Sequence, residues 1–313
     1  MKRFYKKSAK RFISLVIIVA FIVLTIMYFD VGEIWRAVQL LLQNPFWLFV
    51  MLSLYFISFC LKAAAWKFYL RKRVSFLSCL LGILYSLFIN HLFPIKIGDV
   101  IRAEILHKRE KLIKREEAFH SVIVLRVMDM GCLIGIAFVG LFVLDIAYKI
   151  PVWLIVSGCT IVLLSLLVIK RYFAEFLNRQ IIWLKSALFG VNGFVIFLAT
   201  LLSWIIEAGV LFGTVHILQE NATILELAFV NSLTIAGQVF QVTPGGIANY
   251  ESVMIFGLSL VGIPLKSAYI MAVLNHGIKF FFSYAAGAFC LWAHPIDLDT
   301  IRNWTKLRGV RGK

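Results

Sequence analysis

Charge is scarce in this 313-residue chain: Asp, Glu, Lys and Arg together make up 15% of it, against roughly a quarter in an ordinary soluble domain. With 61% hydrophobic residues and a mean hydropathy of +0.91, that shortage excludes a soluble globular protein. Acidic residues are scarcer still, 16 against 32 Lys and Arg, for a net charge of +16. The basic excess does not indicate nucleic acid, because it lies in short runs beside apolar segments, as the positive-inside rule places it. Proline is also rare, six in all, so each one is a candidate interruption of a helix. The five cysteines (Cys60, Cys79, Cys132, Cys159 and Cys290) stand singly in apolar runs. That pattern excludes a disulfide framework or a spaced set of metal ligands and reads as buried small hydrophobes. No connection exceeds about thirty residues, which leaves no room for a separate nucleotide-binding domain. No cofactor and no metal are expected.

What is present is apolar sequence of roughly membrane length, in eight segments. MKRFYKKSAKR puts six positive charges before Phe12–Phe29, and Met27-Tyr28-Phe29-Asp30 offers no small-residue cleavage site. A retained first span with a cytoplasmic amino end follows, not a removed signal peptide. Within Asp30–Asn44, Ile34, Val38, Leu41 and Leu42 give an amphipathic patch suited to an interfacial helix on the outside. Pro45–Ala65 then returns to Lys67, Arg71, Lys72 and Arg73.

Charge and hydropathy conflict at the next segment. If Val74–Phe93 crossed fully, Lys96, Arg102, Lys108, Arg109, Lys111, Lys114 and Arg115 would all lie outside, against the charge rule. A re-entrant hairpin resolves this: the chain breaks near Asn90–Pro94 and comes back as a short polar helix. Pro94 removes a donor and drives Phe93 from helix, and hydrocarbon tolerates freed backbone groups only inside protein or along a wet cavity. Ala118–Leu144 then crosses outward, Val152–Ile169 returns to Lys170, Arg171, Arg179 and Lys185, and Phe194–Leu218 crosses outward to Gln219–Glu226.

The second half repeats the device. Ile224–Val242 runs into Thr243-Pro244-Gly245-Gly246, Ile247–Val261 follows, and Ser267–Trp292 is the last span before a basic tail with Arg302, Lys306, Arg308, Arg311 and Lys313. A cytoplasmic tail requires the second hairpin to re-enter from outside. The expected fold is therefore an all-α polytopic membrane protein, an inverted repeat of span, span, re-entrant hairpin and span. It would have about six full spans and two hairpins. One transmembrane domain would occupy 1–293, with repeats at 12–147 and 152–292 and a basic cytoplasmic tail at 294–313. Thirty-two residues after Pro94 comes Arg126 and thirty-two after Pro244 comes His276, followed three on by Asp129 and Lys279 respectively. Each pair shares a helix face.

After each break a new helix begins with unpaired amides and its positive dipole end at mid-membrane, an arrangement that suits a phosphate or carboxylate. Gly245 and Gly246 would let a ligand approach bare backbone. Lys96, Arg102, Arg126, His276 and Lys279 add positive side chains, with Asp99, Asp129, Glu207 and Glu251 able to pair with them. The competing reading is that these ions only neutralise one another and lock the hairpins. For Pro94 and Gly245 it is a simple kink.

FPIKIGDVIRAEIL resembles a "lPgrlGelvRa" motif, VIVLRVMDMGCL a "leRvlDllgl" motif and TPGGIANYES a "PGGiGvfE" motif of the lysylphosphatidylglycerol synthase transmembrane family, also called UPF0104 or flippase-like. The resemblance runs from the first span to the last. It implies a polytopic membrane fold related to the flippase half of bacterial aminoacyl-phospholipid enzymes. The motif residues fall on Pro94, Gly98, Arg102, Arg126, Asp129, Pro244, Gly245, Gly246 and Glu251. Asp99 stands where the family often has Glu, Ala248-Asn249 replace the usual Gly-Val, and His276 with Lys279 differ from the arginine commonly met there. The large aminoacyl-transfer domain of bifunctional members is expected to be missing, since only about twenty residues follow Trp292.

Two function classes follow. The first is a translocase moving an anionic lipid, a phospholipid or a polyprenyl-phosphate-linked one, across a bacterial or archaeal inner membrane, with both termini cytoplasmic. The second is a membrane glycosyl- or lipid-transferase or an accessory subunit of one, for which Asp297-Leu298-Asp299 is a weak metal–sugar-nucleotide signal. The expected partners are an anionic membrane lipid, and a second copy of the chain or a lipid-biosynthetic enzyme. Nucleic acid is not among them.

Overall fold

The computed structural model describes residues 22–23, 25–71, 73–93, 97–146, 191–238 and 244–295, with the isolated positions 160, 167 and 171. The expectations for Pro94, Lys96, Tyr148–Pro151, Val152–Ile169 and the tail with Asp297 and Asp299 fall outside these residues, as does most of the first span. The described residues are all-helical. Asp30 opens α1, Val31–Gln43, its carboxylate accepting from the Gly32 and Glu33 amides at 2.8 and 3.2 Å. Pro45 sits at the first turn of α2, Pro45–Tyr69.

Two helical hairpins follow the same plan. Ser75 caps α3, Phe76–Leu92, and Phe93 closes it in the extended conformation (φ −112°, ψ 146°) that a following proline enforces. The chain returns as α4, Gly98–Arg109. Successive cross-links make α3 and α4 antiparallel: the Gly98 amide donates to Asn90 Oδ1 (2.9 Å), Arg109 Nε to Ser78 Oγ (3.2 Å) and the Ser75 amide to Glu110 Oε1 (2.9 Å). Residues 75 and 110 thus lie together, so the chain leaves the hairpin at the end where it came in. In the second hairpin a Thr223–Glu226 capping box starts α8, Ile224–Gly237. A 3₁₀ turn at Pro244–Gly246 leads to α9, Asn249–Leu260. Asn249 Nδ2 donates to the Gly237 carbonyl at 3.1 Å, and Val230 packs on Gly257 nearer the open end.

A rise of 1.5 Å per residue makes α3 about 26 Å and α8 about 21 Å long, short of the roughly 30 Å hydrocarbon core. Three described helical stretches are long and apolar enough to cross: Pro45–Tyr69, Arg115–Val143 and Gly193–Ile217. Arg115–Val143 is α5. Gly193–Ile217 is not one uninterrupted helix but α6, Val191–Glu207, and α7, Gly209–Ile217, meeting at Ala208. The last described helix, α10, Leu265–Ala293, is 29 residues long and carries Asn275, His276 and Lys279, all buried, in its middle.

Helix α2 lies along α6, and close approach between α2 and α7 is set by Gly209 against Leu54 and Gly213 against Met51. The hairpins pack crosswise. The first arm of each, α3 or α8, lies on the long helix that follows the other hairpin, α10 or α5. Glycine makes both seats: a Cβ on Gly287 would stand 2.3 Å from the Phe88 ring, and one on Gly140 2.7 Å from the Phe229 ring. Tyr85 Oη ties α3 to the end of α10, donating toward the Cys290 and His294 carbonyls at 2.9 and 2.6 Å. The Pro244–Gly246 turn also touches α3, so the tips of the two hairpins meet inside the protein.

Candidate functional site

The hairpin tips and the central helices enclose a cavity of about 140 Å³, room for several waters or one compact anionic group. Seven of the thirteen residues singled out in the sequence line it: Arg102, Arg126, Asp129, Glu207, Gly245, His276 and Lys279. Asp99 and Glu251 stand behind two of them as partners. Lys96 is outside the described residues, and of Pro244 only the backbone is described.

Each hairpin's second arm presents an acid to the long helix that follows it. Asp99 on α4 receives Arg126 of α5 through both carboxylate oxygens, at 2.8–3.0 Å, the fork geometry at which a guanidinium binds best. Glu251 on α9 meets His276 of α10, Oε1 to Nδ1 at 2.7 Å. One turn further on, the same two long helices reach α6. Asp129 accepts from Trp204 Nε1 at 3.1 Å and Lys279 Nζ donates to Glu207 Oε1 at 2.9 Å. Trp204 and Glu207 are themselves one turn apart, so a single face of α6 receives both contacts. The i, i+3 contact between Arg126 and Asp129 is looser, at 3.7 Å.

Lys62, which the sequence reading passed over, completes the Glu207 site. Its ammonium lies 2.8 Å from Glu207 Oε2 and 3.4 Å from the centroid of the Trp204 ring. Lys279 also donates to Asn231 Oδ1 at 3.1 Å, and that residue was likewise passed over. The signal for Lys62 was a lone cation in an otherwise apolar run; Asn231 and Trp204 gave none. The described groups balance, Lys62, Arg102, Arg126 and Lys279 against Asp99, Asp129, Glu207 and Glu251.

Arg102 differs from the other three cations. It is 5% exposed, its guanidinium lies 4.2 Å from the centroid of the Trp66 ring, and its Nε has no hydrogen-bond partner. Among the described residues it makes no salt bridge. Arg126 occupies Asp99 and Trp204 occupies Asp129, so the nearby acids are already engaged. A buried guanidinium with unused donors beside a cavity is costly unless something accepts from it.

The glycines fill tighter roles than expected. Gly98 starts α4, but its amide is taken by Asn90, and a Cβ there would lie 2.4 Å from the Ser86 carbonyl oxygen. Gly245 (φ +64°) and Gly246 (φ +80°) are both buried. The nearest neighbour of Gly245 is Phe280, 2.1 Å from where a Cβ would be, and the Phe280 ring also meets His91 at 4.7 Å between centroids. The helix beyond begins two residues later than expected, at Asn249, after Ala248 at φ 72°, ψ −41°. Among the described residues, no three His, Cys, Asp or Glu side chains gather as metal ligands would.

Sequence comparison agrees with the motifs that build this cavity: the lysylphosphatidylglycerol synthase TM region matches residues 11–287. The chain belongs to that family. No curated protein and no solved structure is detectably similar to it. The family resemblance read in the sequence is thus sound, and the chain is a multi-pass membrane protein of that kind.

Proposed function

We propose that this protein is a translocase for an anionic membrane lipid, whose phosphate-bearing headgroup occupies the central cavity, in the inner membrane of a bacterium or archaeon with both termini cytoplasmic. The observation that carries the reading is Arg102, a buried guanidinium lining the cavity with donors that no described side chain uses. An oxyanion is the chemical group that such a fork accepts best. Support comes from the geometry around it: two hairpins meet tip to tip, the arrangement in which transporters place substrate at mid-depth. The hairpin acids Asp99 and Glu251 are fixed by Arg126 and His276, so the frame around Arg102 is held in shape before anything binds. The lipid is taken from the membrane itself, and a second copy of the chain or a lipid-synthesising enzyme is the partner this role calls for.

The test uses the full chain purified in detergent, titrated with dihexanoylphosphatidylglycerol and, as a control, dihexanoylphosphatidylcholine. Arg102→Met should weaken binding of the first about 10–100-fold, the value of one or two charged hydrogen bonds, and Arg102→Lys should restore part of it. Reconstituted protein should move headgroup-labelled phosphatidylglycerol between leaflets. Turnover of a sugar nucleotide without such movement would instead identify a transferase, and equal binding by wild type and Arg102→Met would remove the carrying observation.

A further inference from the structure

We infer that Glu251 and His276 form a proton-binding dyad, and that one proton taken up at His276 Nε2 accompanies each anion that enters the cavity. The inference rests on the anionic-headgroup reading above and adds to it what drives the lipid.

The geometry is that of a buried acid–imidazole pair left incomplete at both ends. His276 and Glu251 are 2% and 6% exposed and joined at 2.7 Å, yet His276 Nε2 and Glu251 Oε2 are both buried without a hydrogen-bond partner. With His276 neutral, its Nδ1–H donates to the carboxylate and the Nε2 lone pair is unmatched. With His276 protonated the ion pair is stronger, but the Nε2–H is unmatched. Neither state satisfies every atom, so the balance between them is set by what stands nearby.

The neighbours divide. Tyr250 of α9 stacks on the imidazole, centroids 4.0 Å apart at 19°, and an aromatic face favours the cation. Lys279, one turn along α10, opposes it, and Glu207 offsets only part of that charge, because Lys62 of α2 shares the carboxylate. From α3 comes His91, its ring 6.3 Å away. Helix α2, which packs on α10 through Tyr55 and Phe59, brings Lys62, and across the cavity stand Arg102 of α4 and Arg126 and Asp129 of α5; α1 carries Glu33, engaged by Lys266 at the start of α10, and α7 carries His216, which lies on Trp47. With His276 neutral, the described cations and acids of the site cancel. An arriving anion therefore leaves the cavity one charge negative, and His276 Nε2, a buried base of the cavity lining without a hydrogen-bond partner, can correct this. The proton comes from water, no other group is altered, and lipid and proton would cross together with no net charge moved.

Titration calorimetry tests this with dihexanoylphosphatidylglycerol and the full chain, in two buffers of different ionisation enthalpy between about pH 5 and 8.5. Binding should take up close to one proton per anion on the alkaline side. There the affinity should fall about tenfold per pH unit, as linkage requires for one coupled proton. His276→Asn should abolish proton uptake and bind at one weak, pH-independent affinity. Glu251→Gln, which keeps a hydrogen-bonding group, should move the pH dependence to lower pH. If His276→Asn does not fold, wild type and Glu251→Gln still decide the matter. Binding without proton uptake at any pH would overturn the dyad and leave the lipid reading standing. Uptake that persists in His276→Asn, or a pH dependence that Glu251→Gln leaves unmoved, would place the proton elsewhere and overturn it as well. Absence of binding at every pH would overturn both readings.

Discussion

Glu207 offers the sharpest quantitative test of how the centre is held, because one carboxylate serves two buried ammonium groups. Lys62 and Lys279 reach its two oxygens at 2.8 and 2.9 Å, with side chains 12% and 3% exposed. Glu207→Gln removes the charge while keeping the shape, so two cations lose their counter-ion at once. Removing one partner of a buried pair costs about 3–5 kcal/mol, and this variant should fall at the upper end. The residual contacts, Lys279 to Asn231 Oδ1 at 3.1 Å and Lys62 over Trp204 at 3.4 Å, carry no negative charge. Lys279→Met should cost less, about 1–3 kcal/mol, because Glu207 keeps Lys62. The double variant should then be more stable than the sum of the singles predicts, with a coupling of about 2 kcal/mol. Thermal unfolding of detergent-purified protein, followed by tryptophan fluorescence, measures all four corners of this cycle. Full additivity, or a Glu207→Gln protein as stable as wild type, would refute the shared-carboxylate argument.

Four smaller tests follow. Gly98→Ala should destabilise by about 1–3 kcal/mol, since its Cβ would press on the Ser86 carbonyl oxygen at 2.4 Å; an unchanged melting temperature would show that α4 can slide off α3. Ala248→Gly should stabilise by up to about 1 kcal/mol by relieving φ 72°, and a lower melting temperature would contradict it. Burial raises the pKa of Glu110, but the Ser75 amide and the Ser78 and Ser75 hydroxyls outweigh that and hold it below the usual carboxylate range. Its contribution is then present above that range and lost as pH falls through the lowered value, so Glu110→Gln should flatten the acid limb of the stability profile. A cysteine at Lys108 should be labelled only from the side that carries the basic residues near Arg73, with Glu220 reached from the other side; labelling of both from one side would undo the hairpin argument.

Much of the architecture was readable because it is written in strong local signals. Pro94 fixes Phe93 outside the helix, and the paired spacing from Pro94 to Arg126 and from Pro244 to His276 brought the right turns of α5 and α10 to notice. Partner choice was not readable. That Asp99 takes Arg126 while Glu207 takes Lys279 depends on how hairpins and long helices cross in space, which no spacing along the chain encodes. The break at Ala208 was not read because no proline marks it and the single charge beside it, Glu207, lies in an otherwise apolar run from Phe194 to Leu218. The expectation that Gly245 and Gly246 stand bare was reasonable from conformation alone, but Phe280 approaches Gly245 from another helix.

The crosswise seating of the hairpins bears on how such a chain can be made. The first hairpin finds its resting place, Phe88 against Gly287 and Tyr85 against the Cys290 carbonyl, only on a helix synthesised late, 205 residues beyond Tyr85 for that last contact. At about 5–20 residues per second, the nascent hairpin waits roughly 10–40 s for its partner. During that interval α2 and α5 cover part of the hairpin, but the seat for Phe88 and Tyr85 is still missing. The last described helix to emerge thus completes the packing of the first hairpin.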